Sequence, residues 1–241
     1  MDDAVVVVLD WSLRTFRIDH VHPVVTDDEL LALLRDPRTD VAGVTAPVGW
    51  PIATAQPSTA DMTPEANDRR RVRIPSTTRV TDRWMLENVP SPRHGTGFGP
   101  VRFGAAALRT HDLLEQLPAF CVDRTGRNGK IVEARPQVAL RAWKLPHSGY
   151  DLPGPDGRHL LQAAMSGMAD GMGLTPDALG VTDADQFDAL VAALVAGMAR
   201  TGLTVPIPPE HVATAIVEGW THLPVDDSLK SLIPASRRTA A

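Results

Sequence analysis

The sequence predicts a mixed α/β fold. Three observations carry that expectation. A short, wholly apolar run lies near the start, from Val5 to Leu9. The next segment alternates apolar and polar residues. Later segments with a helical period are separated by short strand-like runs. The 241 residues can bury a sizeable core, and 43% hydrophobic against 22% charged residues is the balance of a folded globular chain.

Val5 to Leu9 ends in Asp10 and reads as a central strand buried on both faces. RTFRIDHV, alternating around Phe16 and Ile18, reads as a second strand antiparallel to the first. VHPVV is a candidate third, which Pro23 confines to an edge or a strand end. Thr26, with Glu29 three residues on, makes a capping box, and Leu30, Leu31, Leu33 and Leu34 keep a helical period behind it. Val41 to Thr45 is a short strand stopped by Pro47. Residues 51–100 lack strong periodicity and are rich in Pro, Gly, Ser, Thr and Arg. This is a long excursion, of the kind that carries function or mobility.

GAAALRTHDLLEQL is a helix, and GKIVEARP is a strand ended by Pro136. QVALRAW begins a helix or turn, and residues 158–170 form another helix. Pro176 suits a first helical position after Thr175. A largely apolar helix follows Thr182, with Thr182 and Asp185 as a capping pair, and PPEHVATAIVEGW is the last helix. Residues 1–227 are read as one domain and residues 228–241 as a loose tail. Early antiparallel strands followed by β/α alternation are compatible with a ribonuclease H-like mixed sheet flanked by helices.

Charge and composition narrow the function classes. A net charge of −5 argues against bulk nucleic-acid binding, yet six arginines fall between Arg69 and Arg83. That run is either a solvated surface loop or a phosphate-facing segment. The single cysteine, Cys121, has no intrachain disulfide partner and fits a reducing compartment. The N-terminal apolar run is too short for a signal peptide or a membrane span, so a cytoplasmic protein with no membrane partner is expected. There is no phosphate loop and no G-x-G-x-x-G after a strand; HGTGFG at 94–99 reads as a flexible loop. His20 and His22 share one strand face but lack a third zinc ligand. Trp50, Trp84, Trp143 and Trp220 read as packing residues.

The acids at strand ends carry the candidate chemistry. Asp10 closes the first strand and Glu133 lies in the late strand. Asp185 and Asp188 begin a buried helix. In open sheets, ligands gather outside the carboxyl ends of strands. Carboxylates converging there would repel one another, and divalent magnesium or manganese would remove that penalty. Two such ions about 3.5–4 Å apart stabilise the attacking and leaving oxygens of a phosphodiester. Each acid also has a plainer reading: Asp10 as a turn residue, Glu133 as an arginine's partner, Asp185 as part of a cap. Asp188 is different. It lies beyond the first turn, on a stripe with Val191, Ala192 and Val195, and needs a specific partner, metal or arginine.

Four segments together resemble the domain-of-unknown-function family 429. They are GVTAPVGWP, RVTDRW, KIVEARPQVALRAWKLPHSGY, and DQFDALVAALVAGMARTGL with the later EGW. They run in the family's order and, with the first strand, reach from about residue 4 to residue 220. The resemblance implies a ribonuclease H-like fold and a predicted nuclease. It implies Asp10, Glu133, Asp185 and Asp188 as metal ligands, because the D-x-x-D-A pattern is similar to the metal-binding helix of RuvC-like resolvases. Arg79, Asp82 and Arg83 match the family's R.TDR positions, which places Arg79 and Arg83 near substrate phosphates. Three positions depart from the pattern: Thr45 in place of an aspartate, Arg135 in place of an aromatic or histidine, and Asp151 in place of a lysine.

The expected function is therefore a magnesium- or manganese-dependent nuclease, with Asp10, Glu133 and Asp188 as its catalytic acids. The alternative is a non-catalytic ribonuclease H-fold protein that binds nucleic acid or a protein partner, which Thr45 and the acidic net charge favour. A sugar-kinase-like ATPase is disfavoured by Trp11, where a small residue would let phosphate approach.

Overall fold

The computed structural model describes residues 4–10, 17–52, 78–89 and 105–232. Strand β1 (Ala4–Asp10) pairs antiparallel with β2 (Arg17–Val25). β2 runs through Pro23 without a break, so the candidate third strand is the far end of the second. The register shifts between Ala4 and Val6, the stretch paired with Val25 and His22. Such an irregularity accommodates a proline near a sheet edge. Only Val7 of β1 is buried, short of the two-faced burial its valine run predicts. Among the described residues its ladder is with β2 alone.

Helix α1 (Asp27–Arg35) starts at the expected capping box: Glu29 N donates to Thr26 Oγ1, and the Glu29 carboxylate accepts from Thr26 N at 2.8 Å. Three short strands, β3 (Ala42–Val44), β4 (Ile131–Ala134) and β5 (Thr221–His222), form a parallel sheet in that order. Val44, Glu133 and Thr221 stand level across it. The excursion contains a helix, α2 (Val80–Asn88), which hydrophobic period does not reveal because its inner face is largely polar: Thr81 and Asp82 are buried beside Met85. Residues 53–77 and 90–104, with the glycine-rich stretch and Arg69 to Arg73, lie outside the described residues.

The remaining helices are α3 (Ala105–Glu115), α4 (Pro136–Ala142), α5 (Pro155–Met172), α6 (Ala184–Arg200), α7 (Val212–Glu218) and α8 (Ser228–Ser231). Pro176 opens a single 3₁₀ turn rather than an α-helix. The expected tail boundary moves. Leu229 and Leu232 pack into the core and Ser228 Oγ accepts from the Trp143 indole at 2.9 Å, so the chain is anchored to residue 232.

Helix α6 lies across both sheets, touching β1, β3 and β4. Phe187, Leu190, Val191, Leu194, Val195 and Met198 are fully buried, which explains why this helix is apolar nearly all round. Gly43 makes the approach possible: a Cβ there would stand 2.1 Å from the Ala192 carbonyl oxygen. Arg200, at the end of α6, donates to the carbonyls of Asp40 and Gly129, just before β3 and β4. Helix α6 therefore runs against the strands, and its first turns lie at their carboxyl ends. A second core of Leu31, Leu34, Leu113, Leu114, Leu117 and Ile131 packs α1 and α3 on the other face of the sheet.

Candidate functional site

Alternation along β4 decides where Glu133 points. Ile131 joins the α1/α3 core and Ala134 joins the α6 core. With a period of two, Glu133 shares the face of Ile131 and turns away from α6. There it meets Arg79, just ahead of α2. Glu133 Oε1 accepts from Arg79 Nη2 at 2.6 Å and from Thr221 Oγ1 at 2.5 Å. Oε2 accepts from Arg79 Nη1 at 2.6 Å and from Val48 N at 3.0 Å. All four acceptor positions of the carboxylate are filled. Burial alone would raise the Glu133 pKa, but Arg79 and the other donors hold it below the ordinary value of 4.5.

Arg79 is equally committed. Nε and Nη2 donate to Asp82 at 3.1 and 3.2 Å, and Nη1 also reaches the Glu218 carbonyl at 3.3 Å. With the two bonds to Glu133, its five N–H groups all have acceptors inside the protein. Burial works against its charge, and Glu133 and Asp82 more than offset that. Glu218 completes the cluster by accepting from Ile52 N at 2.8 Å and Val80 N at 2.6 Å. Thr81 Oγ1 accepts from Thr221 N at 3.0 Å. Gly219, at φ +80°, is confined by Val48: a Cβ would lie 2.7 Å from its methyl. Segments far apart in sequence thus share one buried polar centre.

Asp188 sits on the opposite face. Its partner is Tyr150, whose hydroxyl donates to Oδ1 at 2.6 Å. Tyr150 also packs edge-on against Phe187. Burial is the main cause that raises the Asp188 pKa to about 6; Tyr150 opposes it, and Asp185 and Asp151 add to it. The hydrogen-bond partner that an apolar helix face demands is therefore a phenol rather than an arginine. Asp185 is exposed, and it is not the cap. Asp183 caps α6 by accepting from Gln186 N at 2.9 Å, while Thr182 donates to the Gln186 side chain.

The four proposed ligands do not come together. Glu133 and Asp188 are separated by the sheet, and Glu133 is already neutralised by a guanidinium. Asp10, partly buried at the end of β1, has an interaction of its own. Among the described residues no three His, Cys, Asp or Glu side chains are grouped to hold a metal. As one shared ligand set, Asp10, Glu133, Asp185 and Asp188 do not fit magnesium or manganese. Arg79 faces inward, whereas Arg83 is exposed on α2. Thr45 is exposed just past β3. An open cavity of about 580 Å³, bordered by His111, Glu115, Asp123, Arg124 and Ile216, includes neither Glu133 nor Asp188.

Sequence reasoning overlooked Glu218, Thr221 and Tyr150. A buried acid in AIVEGW and a lone tyrosine facing an apolar helix were the signals available. The tryptophans behave as packing residues: Trp220 is buried against Trp84, at 5.5 Å between ring centres, and Trp143 is buried.

A family model described as "Protein of unknown function (DUF429)" matches residues 2–213. The chain belongs to the DUF429 family. Arg79, Asp82 and Glu133 of this DUF429 protein lie within the matched span and form its buried centre; Glu218 and Thr221 lie just beyond it. No curated protein and no solved structure matches the chain. Among the described residues of the DUF429 chain no helix is long and apolar enough to cross a membrane.

Proposed function

We propose that this DUF429 protein is a ribonuclease H-like domain that binds nucleic acid, without metal-assisted hydrolysis at Asp10, Glu133, Asp185 and Asp188. The Glu133–Arg79 pair carries the reading. A carboxylate with every acceptor position filled and its charge matched has little to offer a divalent cation. The ribonuclease H-like architecture is supported by the order β1, β2, α1, β3, then β4 after a long excursion, with α6 laid across both sheets. Nucleic acid as the partner is supported by the arginine-rich run that begins at Arg69 and ends at the exposed Arg83, Arg79 being spent on the buried centre.

Fluorescence anisotropy with labelled single-stranded and structured DNA and RNA tests this, at several salt concentrations and with or without Mn²⁺. Binding that weakens with salt, ignores Mn²⁺ and leaves the strand intact is the expected result. No binding at low salt, or Mn²⁺-dependent cleavage, overturns it.

A second reading, the magnesium- or manganese-dependent nuclease, is favoured by Asp188. Its carboxyl is raised by burial and by Asp185 and Asp151, and a cation would relieve that repulsion. Mn²⁺-dependent cleavage that disappears in Asp188→Asn, with folding intact, would decide for it.

A further inference from the structure

Arg135 follows the last residue of β4 and shares the face of Glu133. Its side chain is 17% exposed, whereas those of Arg79, Asp82 and Glu133 are 0–2% exposed. It is thus the group of the polar centre that reaches the rim. Its Nη2 stands 3.6 Å from Asp82 Oδ1, an ionic contact too long for a hydrogen bond. Both Asp82 oxygens already accept from Arg79. Among the described residues the Arg135 guanidinium makes no hydrogen bond.

A charge drawn mostly out of water is expected to be paired and hydrogen-bonded. The contrast with Arg79, whose donors all have acceptors, is the informative one. The neighbouring carboxylates are turned inward: Glu133 on Arg79, Thr221 and Val48, and Glu218 on Ile52 and Val80. Glu133 attracts the Arg135 charge, but neither acid accepts a hydrogen bond from it. Thr45, exposed at the end of the adjacent strand, adds no negative charge to that edge. The carboxyl ends of parallel strands are also where ligands gather.

We propose that Arg135 is the ligand-facing group of an oxyanion subsite at the carboxyl end of the parallel sheet, and that it takes a phosphate-type oxyanion. The planar fork of a guanidinium matches two phosphate oxygens. The oxyanion is either free phosphate or a phosphodiester of a nucleic-acid strand. The subsite does not depend on the nucleic-acid reading.

Calorimetric titration of the full chain tests it, at constant ionic strength balanced with chloride. One arm uses inorganic phosphate and the other a short single-stranded DNA. The expected result is saturable binding in at least one arm, weakened about tenfold or more in Arg135→Gln and less in Arg135→Lys. Arg38→Gln, at an exposed surface pair, is expected to bind like the parent. Saturation with phosphate alone identifies a free oxyanion, and loss of the nucleic-acid reading would leave the subsite standing. Saturation with DNA alone identifies the phosphodiester. No saturable binding in either arm, or equal binding by folded Arg135→Gln, overturns the proposal. Where Arg135→Gln fails to fold, the Nε–H resonance of Arg135 in the parent protein decides: it is expected to shift with phosphate or DNA, and an unmoved resonance overturns the proposal.

Discussion

Glu133 and Asp188 are both acids on buried elements, yet their surroundings drive them in opposite directions. Arg79 holds Glu133 below its ordinary pKa, so the pair stabilises the fold at neutral pH. That contribution is present above the unfolded value near 4.5 and is lost as pH falls through the lower folded value. Glu133→Gln leaves the buried Arg79 with Asp82 as its one close charge partner and is expected to cost about 3–5 kcal/mol, read by urea unfolding at pH 7. Asp188 has the reverse sign. Its folded pKa of about 6 exceeds its ordinary 3.8, so the native state binds the extra proton and stability falls as pH rises across that window. Asp188→Asn keeps an acceptor for Tyr150 and is expected to add about 1–3 kcal/mol at pH 7 and little at pH 3.5. A variant no more stable than the parent at pH 7 would contradict this account.

Elements succeed or fail at their ends and at their contacts. Helix α6 is capped by Asp183, so Asp183→Ala is expected to lower stability by about 1 kcal/mol. Asp185→Ala, at an exposed first-turn residue, should stay within about 0.5 kcal/mol. Thermal unfolding of the two variants side by side separates the two candidate caps. Where β3 meets α6, Gly43→Ala would set a methyl 2.1 Å from the Ala192 carbonyl. The strand or the helix must move, and a loss of about 1–3 kcal/mol or more is expected in urea unfolding. At the C-terminal end, Leu229→Ala is expected to cost about 2–5 kcal/mol, because this side chain belongs to the core under α5 and α6. A neutral result there would return residue 229 to the tail.

At the scale of the whole molecule, one helix joins two sheets and one buried ion cluster joins β4, α2 and α7 with the loops around them. The sequence by itself determined a good part of this. The valine run, the Thr26 capping box, the KIVEA strand and the apolar helix from residue 184 are local patterns, and local patterns report local structure. The type and order of most elements follow from them. Helix α2 escaped because its buried face is polar, and β2 was split because a proline is legible while the strand's continuity through it is not. Asp188 was legible as a residue in need of a partner, because a lone acid on an apolar stripe is costly wherever the helix lies. The identity of that partner was not legible, since Tyr150 is brought to it only by the packing of α4, α5 and α6. Tertiary structure alone decided that Glu133 and Asp188 do not meet. One residue of parity along β4 turns Glu133 to the face opposite α6, and no pattern of residue types records on which face of a sheet a helix will settle.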